Sequence, residues 1–326
     1  MRREKLDTGK ISVNLNAWRI VEKVCENPES YGATVKETRL GARVIDFGVE
    51  AEGGLLAGKV VTEICLGGLG KVEITYGEYG GLILPSVSVY TDKPAIATLG
   101  SQFAGWRIKV GNYSAIGSGP ARALASKPKS IYKEISYRDE ADVAVMVLET
   151  SKEPPEGVIE YISEKCGVEP SRLSVVVVPT TSVAGFVQVS GRVVETGIHR
   201  LARLGFDPKA FIDAFGLAPV MPVHPDAVEA MGRMNDAILY GGATYYTVAY
   251  DDDEALERLT ARAVSSASKE YGRPFIEIFK EAGLDFYKVD PDLFAPASIV
   301  INNVKTGRTF TAGAVNPQML KKSIGL

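Results

Sequence analysis

An α+β fold is the class this sequence predicts. Apolar runs of strand length alternate with helix-period segments, and in places the strands follow one another with no helix between them. There is neither a Gly-x-Gly-x-x-Gly turn between a strand and a helix nor a Walker lysine motif, so no Rossmann or P-loop nucleotide site is expected. The 326 residues are 45% hydrophobic and 24% charged, ordinary values for a globular chain that can bury a core without disulfides or metals. At about 100–200 residues per domain the length favours two domains.

The first expected helix covers residues 12–26, with Val13, Trp18, Ile20, Val21 and Val24 at helical spacing after Ser12 or Asn14 as cap. Residues 42–49 and 59–66 read as strands, as do 71–76 and 81–90, broken by Gly77, Gly80 and Gly81. Thr91-Asp92-Lys93-Pro94 then opens a helix over 95–104, because a polar cap precedes a proline that suits the first turn. A strand over 107–116 leads into Gly117-Ser118-Gly119-Pro120, a second helix opening. From there strand and helix alternate: a strand at 142–148, a helix to 166 opened by Pro155-Glu156, a strand at 173–179, and a long helix over 183–204. Two buried strands separated by a helix predict a crossover unit. Residues 275–282 read as a helix, and 297–304 with 309–313 as a hairpin turning at Lys305-Thr306-Gly307. Asp251-Asp252-Asp253-Glu254 reads as a solvated acidic loop. A composition shift over 127–140 places the boundary between an N-terminal α+β domain, 1–129, and a C-terminal one, 130–326.

Composition also bounds function. The net charge of −3 gives no basic excess for nucleic acid, and no apolar run reaches the roughly 18 residues of a membrane span. Met1-Arg2-Arg3-Glu4-Lys5-Leu6-Asp7 has no apolar segment behind its charges, so a cytoplasmic location is expected. Cys25, Cys65 and Cys166 are widely spaced, and His199 and His224 are the only histidines. A disulfide framework, a histidine-rich metal site and a Ser-His-Asp triad all lack material, and no metal is expected.

Three segments carry candidate chemistry. Leu66-Gly67-Gly68-Leu69-Gly70 reads as a tight turn. Gly117-Ser118-Gly119-Pro120, with Arg122, Lys127 and Lys129 near it, fits either a capped helix start or an anion cradle of backbone N–H groups. The 183–204 helix is the most informative. At about 100° per residue, Gln188, Arg192, Glu195 and His199 share one side, roughly opposite Val187, Val194, Ile198 and Leu201. Gly185, Gly191 and Gly197 each cost this helix about 1 kcal/mol against Ala, which signals close packing of another helix or a ligand. Arg192 and Glu195 at i, i+3 fit an exposed helical salt bridge. Spacing alone favours that salt bridge, but it also allows a hydrolytic base held ionised by its neighbour, since an arginine within about 4–6 Å lowers a carboxylate pKa.

Five ordered motifs then identify a relationship. Thr91-Asp92-Lys93-Pro94-Ala95-Ile96-Ala97, Gly117-Ser118-Gly119-Pro120-Ala121-Arg122-Ala123-Leu124, Val189-Ser190-Gly191-Arg192-Val193-Val194-Glu195-Thr196, Phe286-Tyr287-Lys288-Val289-Asp290-Pro291 and Leu293-Phe294-Ala295-Pro296 together closely resemble the methenyltetrahydromethanopterin cyclohydrolases. The resemblance covers residues 11–326 and leaves 1–10 as an extension. It implies interconversion of 5,10-methenyltetrahydromethanopterin plus water and 5-formyltetrahydromethanopterin in one-carbon metabolism. It also implies a homotrimer of two-domain α+β subunits with the substrate pocket between the two domains, and no metal or cofactor, the pterin being substrate and one-carbon carrier. Arg192 and Glu195 match the catalytic pair, and Gln102, Phe103 and Ala104 the facing wall of the pocket. Separately from the resemblance, the helix start at Gly117, Ser118 and Gly119 suits an anionic part of the pterin tail. The sequence departs from the family at Phe103, where a lysine is usual, and at Lys93, where a histidine is usual. A cyclohydrolase acting on methenyltetrahydrofolate, a pterin-binding protein without catalysis and a structural trimer module are the alternatives.

Overall fold

The structure, a computed structural model, describes residues 11–326; residues 1–10, the expected extension, lie outside them. The strands are β1 (Thr34–Glu37), β2 (Arg43–Asp46), β3 (Lys71–Tyr79), β4 (Leu82–Thr91), β5 (Trp106–Val110), β6 (Tyr113–Ser118), β7 (Ala144–Glu149), β8 (Leu173–Val178), β9 (Phe211–Pro219), β10 (Ala243–Val248), β11 (Ser298–Asn303) and β12 (Thr309–Gly313). They form two six-stranded sheets, ordered β1-β2-β8-β7-β6-β5 and β12-β11-β10-β9-β4-β3. The helices are α1 (Val13–Glu26), α2 (Leu55–Cys65), α3 (Pro94–Ala97), α4 (Ala121–Ala125), α5 (Lys129–Glu134), α6 (Glu156–Cys166), α7 (Val183–Ser190), α8 (Val193–Arg203), α9 (Ala227–Gly241), α10 (Asp253–Arg262), α11 (Phe275–Glu281) and α12 (Pro317–Ser323). The α+β class holds.

Both sheets take strands from either side of residue 129. The chain lays down β1 and β2 in the first sheet and β3 and β4 in the second, then returns for β5–β8 and ends in the second with β9–β12. The 127–140 segment connects β6 to β7, which pair with each other in one sheet. A division at 129/130 therefore does not separate the sheets. Composition follows the chain, whereas pairing joins segments far apart along it.

In the first sheet, β2, β8 and β7 are parallel, and α6 makes the β7–β8 crossover. Both faces are covered, by α1 and α2 on one side and by α4 and α6 on the other, so β7 and β8 read as continuous apolar runs. Ser12 caps α1 by accepting the Leu15 N–H at 3.1 Å. Buried Asn14 ties α1 to its surroundings: its Nδ2 donates to Asp139 Oδ2 at 2.7 Å and to the Pro120 carbonyl at 2.9 Å, and its Oδ1 accepts the Val145 N–H.

Several expected elements differ. Residues 59–65 belong to helix α2, with Leu66 as its C-cap, and the buried Ala57, Val60, Val61 and Ile64 follow helical spacing. A run of eight residues with five apolar positions fits both periods, and tertiary packing decides. Gly67 and Gly68, both at positive φ, turn the chain after α2, their N–H groups donating to Ile64 and Glu63 carbonyls. The 107–116 strand is a hairpin of β5 and β6. The acidic run is a helix start: Asp252 caps α10 by accepting the Ala255 N–H at 2.8 Å, and Asp253 and Glu254 fill its first turn. The single helix over 183–204 is two, α7 and α8, parted at Gly191 and Arg192.

That broken helix joins the two halves of the fold. α7 packs on α2, where a Cβ on Gly58 would lie 2.4 Å from Val187 Cβ, and α8 packs on β9 and β10 of the second sheet. Its three glycines answer the question left by the sequence. A Cβ on Gly185 would meet the Pro179 carbonyl at 2.2 Å, one on Gly191 the Thr62 side chain at 2.5 Å, and one on Gly197 the Tyr246 hydroxyl at 2.1 Å. Each accommodates protein packing.

Candidate active site

The joint between α7 and α8 places Arg192 just outside the helix that carries Glu195 in its first turn. Both side chains are buried, and the guanidinium lies 3.7 Å from the carboxylate. The exposed salt bridge that the spacing also allowed is therefore not what forms. Arg192 is held on every side: Nε donates to Gln188 Oε1 at 3.2 Å, Nη1 to the Gln102 carbonyl at 2.7 Å, and Nη2 to Ser118 Oγ at 3.1 Å. Gln188 and Arg192 share a helical side, as expected; Gln102 and Ser118 arrive from elsewhere in the chain.

Gln102 ends a π-helical turn, Thr98–Gln102, that continues α3 where a single helix over 95–104 is expected. Its Nε2 donates to the Gly191 carbonyl at 3.0 Å, so the turn and the α7–α8 joint grip each other reciprocally. Turns of this kind recur at functional sites because they displace a side chain from the regular helical track. Gln102 Oε1 is buried without a partner among the described residues. Beyond it, half-buried Phe103 lies against the His199 ring at 4.8 Å, one turn past Glu195, and Ala104 is exposed.

The electrostatics differ from the expectation. Burial pushes Glu195 above the usual carboxylate range, and the Arg192 and Arg122 guanidiniums offset only part of that. Desolvation outweighs pairing because water is excluded from both partners. A carboxylate of raised proton affinity is the better general base near neutrality. His199 is pushed down to about 4 by burial and by Arg203 and Arg200, so its ring is neutral at pH 7.

The glycines around Ser118 are packed against the protein's own backbone. Gly117, opposite Trp106 in the ladder, leaves room for the Trp106 carbonyl, which a Cβ would approach to 3.0 Å. Gly119, at φ +89°, donates its N–H to the Ser101 carbonyl at 2.9 Å. That amide is thus taken, α4 has only five residues, and Arg122 points inward to the π-helical turn instead of toward an anion. Of the three, Ser118 reaches the Arg192 cluster with its side chain.

One acidic group went unread in the sequence. Glu149 ends β7, and its Oε2 accepts from Gln188 Nε2 at 3.4 Å, which places a second carboxylate on the far side of Arg192. Burial pushes it up as well. It faces a crevice at the carboxyl ends of the parallel strands, walled by Thr150, Thr180, Thr181, Asn112 and Ala227. Such ends are where open sheets place ligands. The signal available was its position as the last residue of a buried apolar strand. A second hollow, beside Asp226, Glu229 and Lys280, lies apart from this chemistry. Among the described residues no cluster of three His, Cys, Asp or Glu side chains is arranged to hold a metal ion, and no helix is long and apolar enough to cross a membrane.

A buried carboxylate of raised proton affinity with a fixed guanidinium at its side is chemically able to take up and return a proton, here within an α+β protein. A family model described as Cyclohydrolase (MCH) matches residues 12–324. Relatives named methenyltetrahydromethanopterin cyclohydrolase include those of Methanocaldococcus jannaschii, 50% identical over 97% of this chain and 98% of the relative, and Methanothermobacter marburgensis, 48% identical over 97% and 100%. That of Methanococcoides burtonii is 46% identical over 97% and 99%. The chain belongs to this cyclohydrolase family.

Proposed function

We propose that this protein catalyses the reversible hydrolysis of 5,10-methenyltetrahydromethanopterin to 5-formyltetrahydromethanopterin, with Glu195 as general base and Arg192 as its orienting partner. The observation that carries the reading is the buried Arg192–Glu195 pair at the α7–α8 joint, 3.7 Å apart, in a chain whose relatives bear that activity in their names. The methenyl carbon sits between two nitrogens and shares their positive charge, so it is electrophilic without a Lewis acid. It needs one water, oriented and partly deprotonated on one face of the ring. Glu195 takes the water proton as the oxygen bonds to that carbon, a contribution of about 10²–10⁴ in rate. Arg192 orients the water and donates to the developing tetrahedral oxygen. The bond from the carbon to the leaving nitrogen then breaks as Glu195 returns the proton to that nitrogen. The formyl group stays on the other. The proton left on the hydroxyl is released to solvent as the formyl C=O forms, so the hydrolysis yields one proton overall.

Gln102, Phe103 and Ala104 form one wall, and Ser118 contributes through its contact with Arg192. The pterin is the one-carbon carrier, and no further cofactor enters this scheme. The same reading includes a cytoplasmic homotrimer. The exposed side chains of Tyr90, Phe215 and Tyr245, in register across the second sheet, offer an apolar surface of the kind subunit contacts use.

The test is the decay of methenyl-pterin absorbance with purified wild type and Arg192→Ala, on both the methanopterin and the folate substrate. Fast hydrolysis of methenyltetrahydromethanopterin by wild type alone supports the proposal. Preference for the folate substrate would reassign the pterin, and tight binding without turnover would make this a binding protein.

A further inference from the structure

Among the described residues three arginines are buried: Arg122, Arg192 and Arg200. Arg192 faces Glu195 and Arg200 faces Asp292 across ion pairs. Arg122 has no carboxylate in salt-bridge range, yet its side chain is wholly shielded from solvent. Its Nη1 donates to the Leu99 and Ser101 carbonyls at 3.3 and 3.0 Å and its Nη2 to Leu99 at 3.4 Å, while its Nε has no partner. The Phe103 and Tyr132 rings flank the guanidinium at 5.2 and 5.7 Å.

Burying an isolated cation costs several kcal/mol, so packing alone does not explain it. Its hydrogen bonds do not require a charge either. The Ser101 carbonyl already accepts the Gly119 N–H, and a neutral amide could serve the Leu99 carbonyl. What distinguishes the position is the turn it holds. Arg122 grips the Leu99 and Ser101 carbonyls of the π-helical turn, and Arg192 grips the next one, that of Gln102. The two guanidiniums clamp one turn, and both act on Glu195.

We infer that Arg122 is a positioning residue for the Glu195 chemistry: it fixes the turn that holds Arg192, and it is the second buried cation whose field favours Glu195 as a carboxylate able to accept a proton. This rests on the proposed hydrolysis and goes beyond it by assigning a role to a residue outside the reacting pair. Other titratable groups surround Glu195: Arg192 from the joint, Tyr246 from β10 and Cys65 from α2 interact with it, His199 lies one turn on along α8 beside Arg200 and Arg203, and Glu149 from β7 interacts with Arg192. Burial keeps the Tyr246 phenol and the Cys65 thiol protonated and the His199 ring neutral at pH 7. Arg192, Arg122 and Glu149 are then the groups that can carry charge there.

The experiment compares Arg122→Met, Arg122→Lys and Tyr132→Phe by two readouts. The first is the acid limb of kcat/KM for methenyltetrahydromethanopterin. The second is infrared titration of the Glu195 carboxyl band, identified by its loss in Glu195→Gln. Arg122→Met is expected to move both upward by about one pH unit, and Arg122→Lys to return them to wild type. Tyr132→Phe removes the hydroxyl that donates to the Gly100 carbonyl of the same turn at 2.9 Å but leaves the charge, so it should move neither. Arg122→Gln, neutral but still a donor, carries the same reading if the methionine variant does not fold. A Glu195 band that titrates at the wild-type pH without the Arg122 charge overturns the inference, as does an equal shift in Tyr132→Phe. A shifted band in a protein that hydrolyses no methenyl-pterin would instead overturn the functional reading and leave the Arg122 assignment standing.

Discussion

Gly197→Ala tests whether the catalytic helix is seated as described. Gly197 lies one turn beyond Val194 on α8, and Tyr246 from β10 crosses it to donate to the Val194 carbonyl at 3.0 Å. An alanine Cβ would stand 2.1 Å from that hydroxyl and 3.0 Å from the ring carbon bearing it. Tyr246 is wholly buried between the sheet and the helix, so it has little room to yield. Overpacking of this kind costs about 1–3 kcal/mol. Displacing the phenol also forfeits a buried hydrogen bond, about 1–3 kcal/mol when a polar group is left unpaired. Alanine's helical advantage, about 1 kcal/mol, opposes both. The net expectation is a destabilisation of about 2–3 kcal/mol, read as a lower urea midpoint with an unchanged slope. In a Tyr246→Phe background the worst contact disappears while the 3.0 Å ring contact stays, so the same substitution should cost about half as much. If Gly197→Ala is as stable as wild type, or its penalty is the same in both backgrounds, α8 does not sit on β10 as described.

Two more predictions concern a buried acid and the paired arginine. Asp236 accepts the Phe275 N–H at 2.8 Å and the Ser323 hydroxyl at 2.6 Å, and burial pushes it up to about 7. The folded state therefore holds this proton more tightly than the unfolded one, so its stabilising effect is complete below about pH 4 and lost as pH rises through about 7. Asp236→Asn keeps both hydrogen bonds without titrating. It should flatten that slope and stabilise the protein at pH 8, by at most about 4 kcal/mol; parallel urea midpoints for the two proteins from pH 4 to 8 would contradict it. Arg192→Lys keeps the charge but cannot reach Gln188, Gln102 and Ser118 together. Turnover should fall at least about tenfold with a smaller change in KM, measured by steady-state kinetics; near-wild-type turnover would mean that charge alone suffices.

The legible parts of this fold are those whose physics is local. The β7–α6–β8 crossover shows as two valine-rich runs around a proline-opened helix, and Ser12 marks the start of α1 by its side-chain cap. The 59–66 run was illegible because five apolar residues in eight suit either period, and the choice is made by α7 packing against Gly58. The region of β9, α9 and β10 gave no clear reading; α9 carries Gly232, Asn235 and Gly241, poor helix formers, and depends on its partners α7, α11 and α12. At the site, helical spacing placed Gln188 beside Arg192, the family resemblance supplied Gln102, and the Gly117–Pro120 helix opening drew attention to Ser118, though not to its contact with Arg192. Spacing could not supply the sign of the Glu195 shift, which depends on how completely three elements exclude water. The capture of the Gly119 amide by the Ser101 carbonyl, and the pull of Arg122 inward beneath the turn, are long-range contacts that a local motif does not reveal.

The central claim is that Glu195 moves the proton, and Glu195→Gln tests it most directly, because glutamine keeps the shape and loses the base. Steady-state hydrolysis of methenyltetrahydromethanopterin beside substrate binding by fluorescence should show turnover lower by about 10²-fold or more and affinity within a few-fold of wild type. Turnover retained in Glu195→Gln, or rate and affinity falling together, would contradict the account.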